Sequence, residues 1–172
     1  MTSIRMTQNH DRATAPARSG SGVRRVLIVC GILSSLIYIA TDVLGGLQFE
    51  GYSFTSQAIS ELMAIGAPSE PLVDPLFLMY DLLVLAFGVG VLRECGARDR
   101  ALRITGALLA GYAAIGFTGP TLFEMYPRGA GPNSDLPHIV TTAVLALLTL
   151  LAVGFGTVAL GRRFRVFSLG TL

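Results

Sequence analysis

The sequence predicts an all-α integral membrane protein: a helical bundle of four transmembrane helices with a short interfacial helix in the first outer loop. Three observations predict it. Only 14% of the 172 residues are charged while 52% are hydrophobic, with a mean hydropathy of +0.62. An ordinary soluble domain carries about 25% charged residues, and a chain this short cannot bury so much apolar surface in a core of its own. The apolar residues fall into four continuous runs, 26–47, 72–92, 104–123 and 139–160. About 20 helical residues at ~1.5 Å rise match a hydrocarbon layer of ~30 Å. The runs do not alternate, which excludes the strands of a membrane barrel. Finally, all thirteen basic residues are arginine, and twelve lie at one end of the predicted bundle.

Residues 1–23 are polar, rich in Ser, Thr, Arg and Gly, and without periodicity, so they read as a disordered tail. The membrane domain follows as 24–172. The first run is too long for the apolar region of a secretory signal, and no small-residue cleavage site follows it, so it reads as a retained helix. Arg24 and Arg25 form a twin pair, but the residues after them do not match an export signal. They read as a positive anchor.

The first outer loop, 48–71, is not simple linker. Ala58, Ile59, Leu62, Met63 and Ile65 recur at helical spacing, with Gln57, Ser60 and Glu61 between them. Ser56 is placed to cap this short amphipathic helix, and Gly66 with Pro68 to stop it. In the second run Asp81 lies well inside the membrane, where an ionisable side chain costs ~2.5–3.5 kcal/mol on insertion scales and needs a partner facing the bundle. Tyr38, Ser34 and Tyr112 are the expected hydrogen-bond partners. Asp42 approaches the outer third of the first run, and Asp74 reads as a cap ahead of Pro75. The third run carries small residues, Gly106, Ala110, Ala113 and Ala114, suited to close helix approach in lipid. Pro120 is expected to kink or end that helix.

The second outer loop, 124–138, has turn residues in its middle and charged groups at both ends. Asp135 and His138 are three apart, on one face of a first helical turn. Asp135 suits a helix cap and Pro137 the first turn. The same spacing also suits a carboxylate-oriented histidine or a metal ligand pair.

Arginine placement sets the orientation. Arg5, Arg12, Arg18, Arg24 and Arg25 precede the first run, Arg93, Arg98, Arg100 and Arg103 join the second and third, and Arg162, Arg163 and Arg165 follow the fourth. Only Arg128 lies at the opposite end. The arginine-rich side is therefore expected in the cytoplasm, with both termini. The lipid bilayer is the expected partner, and a net charge of +2 is too small to suggest nucleic acid. Cys30 and Cys95 face no oxidising compartment in this arrangement, so no disulfide is expected.

The stretch YSFTSQAISELMAIGAPSEP resembles the first outer loop of the bacterial domain-of-unknown-function family 998, through Tyr52, Ser60, Glu61, Leu62, Gly66, Ala67 and Pro68. The second outer loop is similar through Phe123, Met125, Arg128, Gly129, Asp135 and His138. The resemblance covers roughly 26–172 and implies a multi-pass bundle in the bacterial inner (plasma) membrane, without an established activity. Glu124 departs from the Pro found in much of the family. Members also usually have six helices, whereas this chain stops at what reads as the opening of a fifth. The resemblance thus implies a short or truncated member, for which a homodimer would compensate.

Three functions remain open from the residues. The favoured one is a structural or accessory protein with an outer-face polar cluster, in which Tyr52, Ser60 and Arg128 hold the loops, Arg128 pairs with Glu61 or Glu124, and His138 pairs with Asp135. The second is a metal-dependent hydrolase or transferase acting on lipid. Glu61, Glu124, Asp135 and His138 would hold a divalent metal, Glu61, Asp135 and His138 being the catalytic candidates. Ser60 lacks a neighbouring base. The third is a transporter or small-molecule binding protein using the intramembrane acids Asp42 and Asp81.

Overall fold

The computed structural model describes residues 20–96, 99–128 and 135–171. The described residues form five α-helices and no strand: α1 Gly20–Gln48, α2 Glu70–Glu94, α3 Arg100–Leu122, α4 Leu136–Ala159 and α5 Arg162–Thr171. The first four are long and apolar enough to cross a membrane.

α1, α2 and α4 run beyond both or one of the ends set by hydropathy, and α3 starts four residues before its apolar run. Hydropathy marks where lipid begins, whereas a helix ends only where backbone geometry or capping stops it. The expected tail is accordingly corrected at its inner end: α1 begins at Gly20, and residues 1–19 lie outside the described residues. α2 is capped at Ser69, not Asp74. Its helix passes through Pro75, placed early enough to be tolerated, and leaves Asp74 exposed within it. α3 continues two residues past Pro120 before it stops.

The helices pack in chain order, α1 on α2, α2 on α3 and α3 on α4, while no Cα of α1 comes within 8 Å of α4. The bundle is therefore an open row curved around a space rather than a closed four-sided core. At the α2–α3 seam backbone approaches backbone. A Cβ placed on Gly88 would sit 2.9 Å from the Ala110 amide nitrogen and 3.1 Å from the Gly106 carbonyl oxygen, so only glycine fits there. This is the close approach expected of small residues in lipid. Gly106 and Ala113 are buried in the seam as expected. Ala114 is not: it stands one residue beyond Ala113, about 100° further round the helix, and is exposed. The outward faces of α1 and α4 remain bare, with Leu36, Ile39, Leu47, Leu147 and Val158 each more than half exposed. α5 turns back at Gly161 (φ 83°) and lays Phe164 against Gly156 of α4.

The interfacial helix is present but shorter than its periodicity predicts. It is a single 3-10 turn, Ile59–Met63, preceded by Ala58 and not capped by Ser56. Two side chains fold back on the backbone and satisfy amides ahead of the turn. Gln57 Oε1 accepts from the Ser53 amide at 2.8 Å, and Glu61 Oε1 accepts from the Ala58 amide at 2.9 Å. Past the turn, the Ile65 amide donates to the Met125 carbonyl at 2.9 Å, joining the other loop instead of extending the helix. The turn buries Leu62 completely, over Gly45 and Val73. Ser69 Oγ donates to the Leu62 carbonyl at 2.6 Å and fixes it there.

Candidate functional site

Two loops meet over one end of the bundle, and Arg128 is their fastening. Its Nε donates to Glu61 Oε2 at 2.6 Å, and its terminal nitrogen donates to Glu61 Oε1 at 2.7 Å and to the Ser56 carbonyl at 2.9 Å. A planar guanidinium matches a carboxylate in this two-bond fashion, which a lysine could not do. Glu61 also accepts from Gln57 Nε2 at 3.0 Å and from the Ala58 amide. The Arg128 hydrogen bond, helped by Gln57 and Ala58, holds the Glu61 carboxyl down at about 2. Glu61 in turn pushes the Arg128 guanidinium up. The arrangement is asymmetric: the Glu61 side chain is 10% exposed and that of Arg128 63%.

The other loop residues are tied to backbone. Asp135 occupies the cap position of α4, but its side chain does not cap the helix. Its Oδ1 accepts from the Tyr126 amide at 2.8 Å. His138 Nδ1 donates to the Phe123 carbonyl at 3.0 Å, the only sense possible toward a carbonyl oxygen. The expected His138–Asp135 pair is thus replaced by two bonds to the α3–α4 connection, because each side chain finds a backbone partner first. Glu124 is exposed and Arg128 chooses Glu61 over it. Tyr52 packs edge-on against Phe54, centroids 5.1 Å apart. Among the described residues no three His, Cys, Asp or Glu side chains converge as a metal site. Glu61 has its acceptor capacity already committed to four donors.

Beneath the clamp lies a cavity of about 480 Å³, inside the curve of the helix row. All four long helices line it, and Ile59, Ser60 and Met63 of the 3-10 turn roof it. Its size falls within the range of roughly 300–1,000 Å³ typical of small-molecule pockets. Asp81 lines it and is 5% exposed. With α2 starting at Glu70, Asp81 is eleven residues along the helix, about 16 Å from its start and near its midpoint. None of the expected partners, Tyr38, Ser34 and Tyr112, hydrogen-bonds to Asp81. Ser34 Oγ donates to the Gly31 carbonyl, and Tyr112 accepts from the Tyr80 hydroxyl at 3.1 Å. Among the described residues the one ion pair is Arg128–Glu61, and no hydrogen bond reaches the Asp81 carboxyl. That carboxyl packs against Gly116, where a Cβ would overlap it. His138 also lines the cavity, and its Nε2 is buried without a hydrogen-bond partner. Asp42 is half-buried and lies off the cavity wall, so the two acids do not form one site.

Phe77 and Tyr80 are the site residues that sequence reasoning missed. Their signal was present: 77, 80 and 81 follow helical i, i+3, i+4 spacing, which places two aromatic rings on the face of the buried acid.

A sequence profile of the family described as "Protein of unknown function (DUF998)" matches residues 32–172. No curated protein and no solved structure matches the chain.

Proposed function

The chain belongs to the DUF998 family, defined by sequence and not by activity, and on that premise we propose that it is a membrane-embedded binding protein whose ligand occupies the cavity beneath the Glu61–Arg128 clamp. The observation that carries this reading is Asp81: an acid buried near the midpoint of a membrane-length helix, on a cavity wall, with no partner among the described residues. An intramembrane acid is expensive and ordinarily has a partner. The loop cluster takes the structural part, closing the cavity from one end. This keeps the accessory role of Arg128 and moves the chemistry to the bundle interior.

The arginine distribution supports an orientation with both termini in the cytoplasm and the clamp on the outer face of the bacterial inner membrane. The cavity then opens toward the outer leaflet, where the gap between α1 and α4 offers lateral access from lipid.

The test uses octan-1-ol as a neutral probe and Ala146→Phe, which places a ring into the cavity from α4. Thermal melting is followed in nanodiscs for both proteins. Octanol is expected to raise the melting temperature of the wild type relative to the filled variant, since only the wild type has room for it. Identical responses would overturn the reading, because bilayer effects are common to both.

A further inference from the structure

The polar groups of the cavity narrow the chemistry of its ligand, an inference that rests on the binding reading above. Among the described residues two groups that line it without a hydrogen-bond partner can only accept, while the unbonded hydroxyls of Tyr38, Ser60 and Thr142 can accept or donate. The Asp81 carboxyl is one; the other is His138 Nε2, left as a lone pair because Nδ1 carries the proton. Among the described residues no arginine lines the cavity, and the chain has no lysine. Beside Asp81 stands a continuous aromatic wall. Tyr38, Phe77 and Tyr80 pack mutually with centroids 5.5–6.1 Å apart, and Tyr80 meets Tyr112 at 6.2 Å. The Tyr38–Phe77, Phe77–Tyr80 and Tyr80–Tyr112 contacts are edge-to-face.

A ring face attracts a cation, and a buried carboxylate requires one. We propose that the cavity binds a lipophilic amine as its ammonium ion. The ammonium donates to Asp81 and rests against Tyr80 and its neighbours, while the apolar body lies along Leu145, Leu150 and Met63. An alcohol of the same length fills the space without the charge. A carboxylate of the same length meets Asp81 as a like charge.

The experiment titrates octylammonium, octan-1-ol and octanoate into the full chain in phosphatidylcholine nanodiscs. Intrinsic tyrosine fluorescence is the readout: three of the five tyrosines line the cavity, and the chain has no tryptophan. Octylammonium is expected to saturate at a concentration at least about tenfold below octanol, with octanoate weakest. Asp81→Asn, close to isosteric, removes the ammonium preference and leaves octanol unchanged. Tyr80→Leu weakens octylammonium about thirtyfold, the factor for a desolvated cation–π contact. Gly116→Ala gives the same test should Asp81→Asn fail to fold, since its Cβ displaces the carboxyl while keeping the charge. The amine assignment is overturned if octylammonium has no advantage in the wild type, or if the advantage survives in Asp81→Asn or, where that fails to fold, in Gly116→Ala. Octanol saturating without an ammonium advantage sinks the amine alone and leaves the cavity reading standing. Saturation by none of the three sinks both.

Discussion

Removing the Glu61 side chain should cost the protein more than removing that of Arg128, although the two form a single ion pair. Glu61→Ala strips the acceptor from four donors: two nitrogens of Arg128, Gln57 Nε2 and the Ala58 amide. The guanidinium is largely exposed and finds water, so its share is left out of the sum. The bonds from Gln57 and Ala58 are partly buried and charge-assisted, a class worth about 1.5–3 kcal/mol each. At the low end the pair sums to about 3 kcal/mol, which soluble-domain scaling converts to a fall of about 6–12 °C in melting temperature. Arg128→Ala leaves those two bonds in place and should lower the melting temperature by a clearly smaller amount. Circular dichroism melts of both variants in one detergent give the comparison. Equal losses, or a larger loss for Arg128→Ala, would refute the claim that Glu61 organises the loop and Arg128 fastens it.

The same carboxylate predicts an acid limb. Its ordinary value of 4.5 falls to about 2 in the folded protein, so its stabilisation is present above 4.5 and lost as pH falls toward 2; the melting temperature should drop across that window, and Glu61→Gln should flatten its share of the drop. Gly88→Leu drives a side chain into the α3 backbone and should destabilise by at least the 1–3 kcal/mol typical of overpacking, as read by thermal melting. Asp81→Asn should be no less stable than the wild type without ligand, because it replaces an unpaired buried acid with a neutral group; a marked loss of stability would reveal a partner for Asp81 within the chain. With Cys30 and Cys95 replaced by alanine, Thr55→Cys should react with a membrane-impermeant maleimide in intact cells and Arg100→Cys only after permeabilisation; the reverse pattern would invert the proposed orientation.

The four spans were legible because each run of apolar residues exceeds what a soluble core of this size absorbs, and lipid imposes length directly. Arg128 was legible as the partner of Glu61 or Glu124 because it is the lone basic residue at its end of the bundle, but the choice of Glu61 was not. Nor was the geometry of the pair. The 3-10 turn depends on Gln57 and Glu61 folding back onto their own backbone, and on Ile65 bonding to a loop sixty residues away. His138 and Asp135 were paired by spacing, yet spacing carries no information about the carbonyl of Phe123 or the amide of Tyr126, which hold them instead. Asp81 stood out as costly, and its partners were sought among nearby hydroxyls. The open row of helices, which leaves a cavity where those partners were expected, is a tertiary property with no local pattern.

The central claim is that a ligand sits inside the helix row and not merely along its lipid face. Photolabelling with an eight-carbon alkylammonium bearing a diazirine near its free end, followed by peptide mapping, tests it most directly. Adducts concentrated on cavity-lining Met63, Tyr112 and Leu145, suppressed by excess octylammonium and by Ala146→Phe, are the predicted result. Adducts spread evenly over the exposed faces of α1 and α4, at Leu36, Ile39, Leu147 and Val158, and unchanged by either treatment, would contradict it.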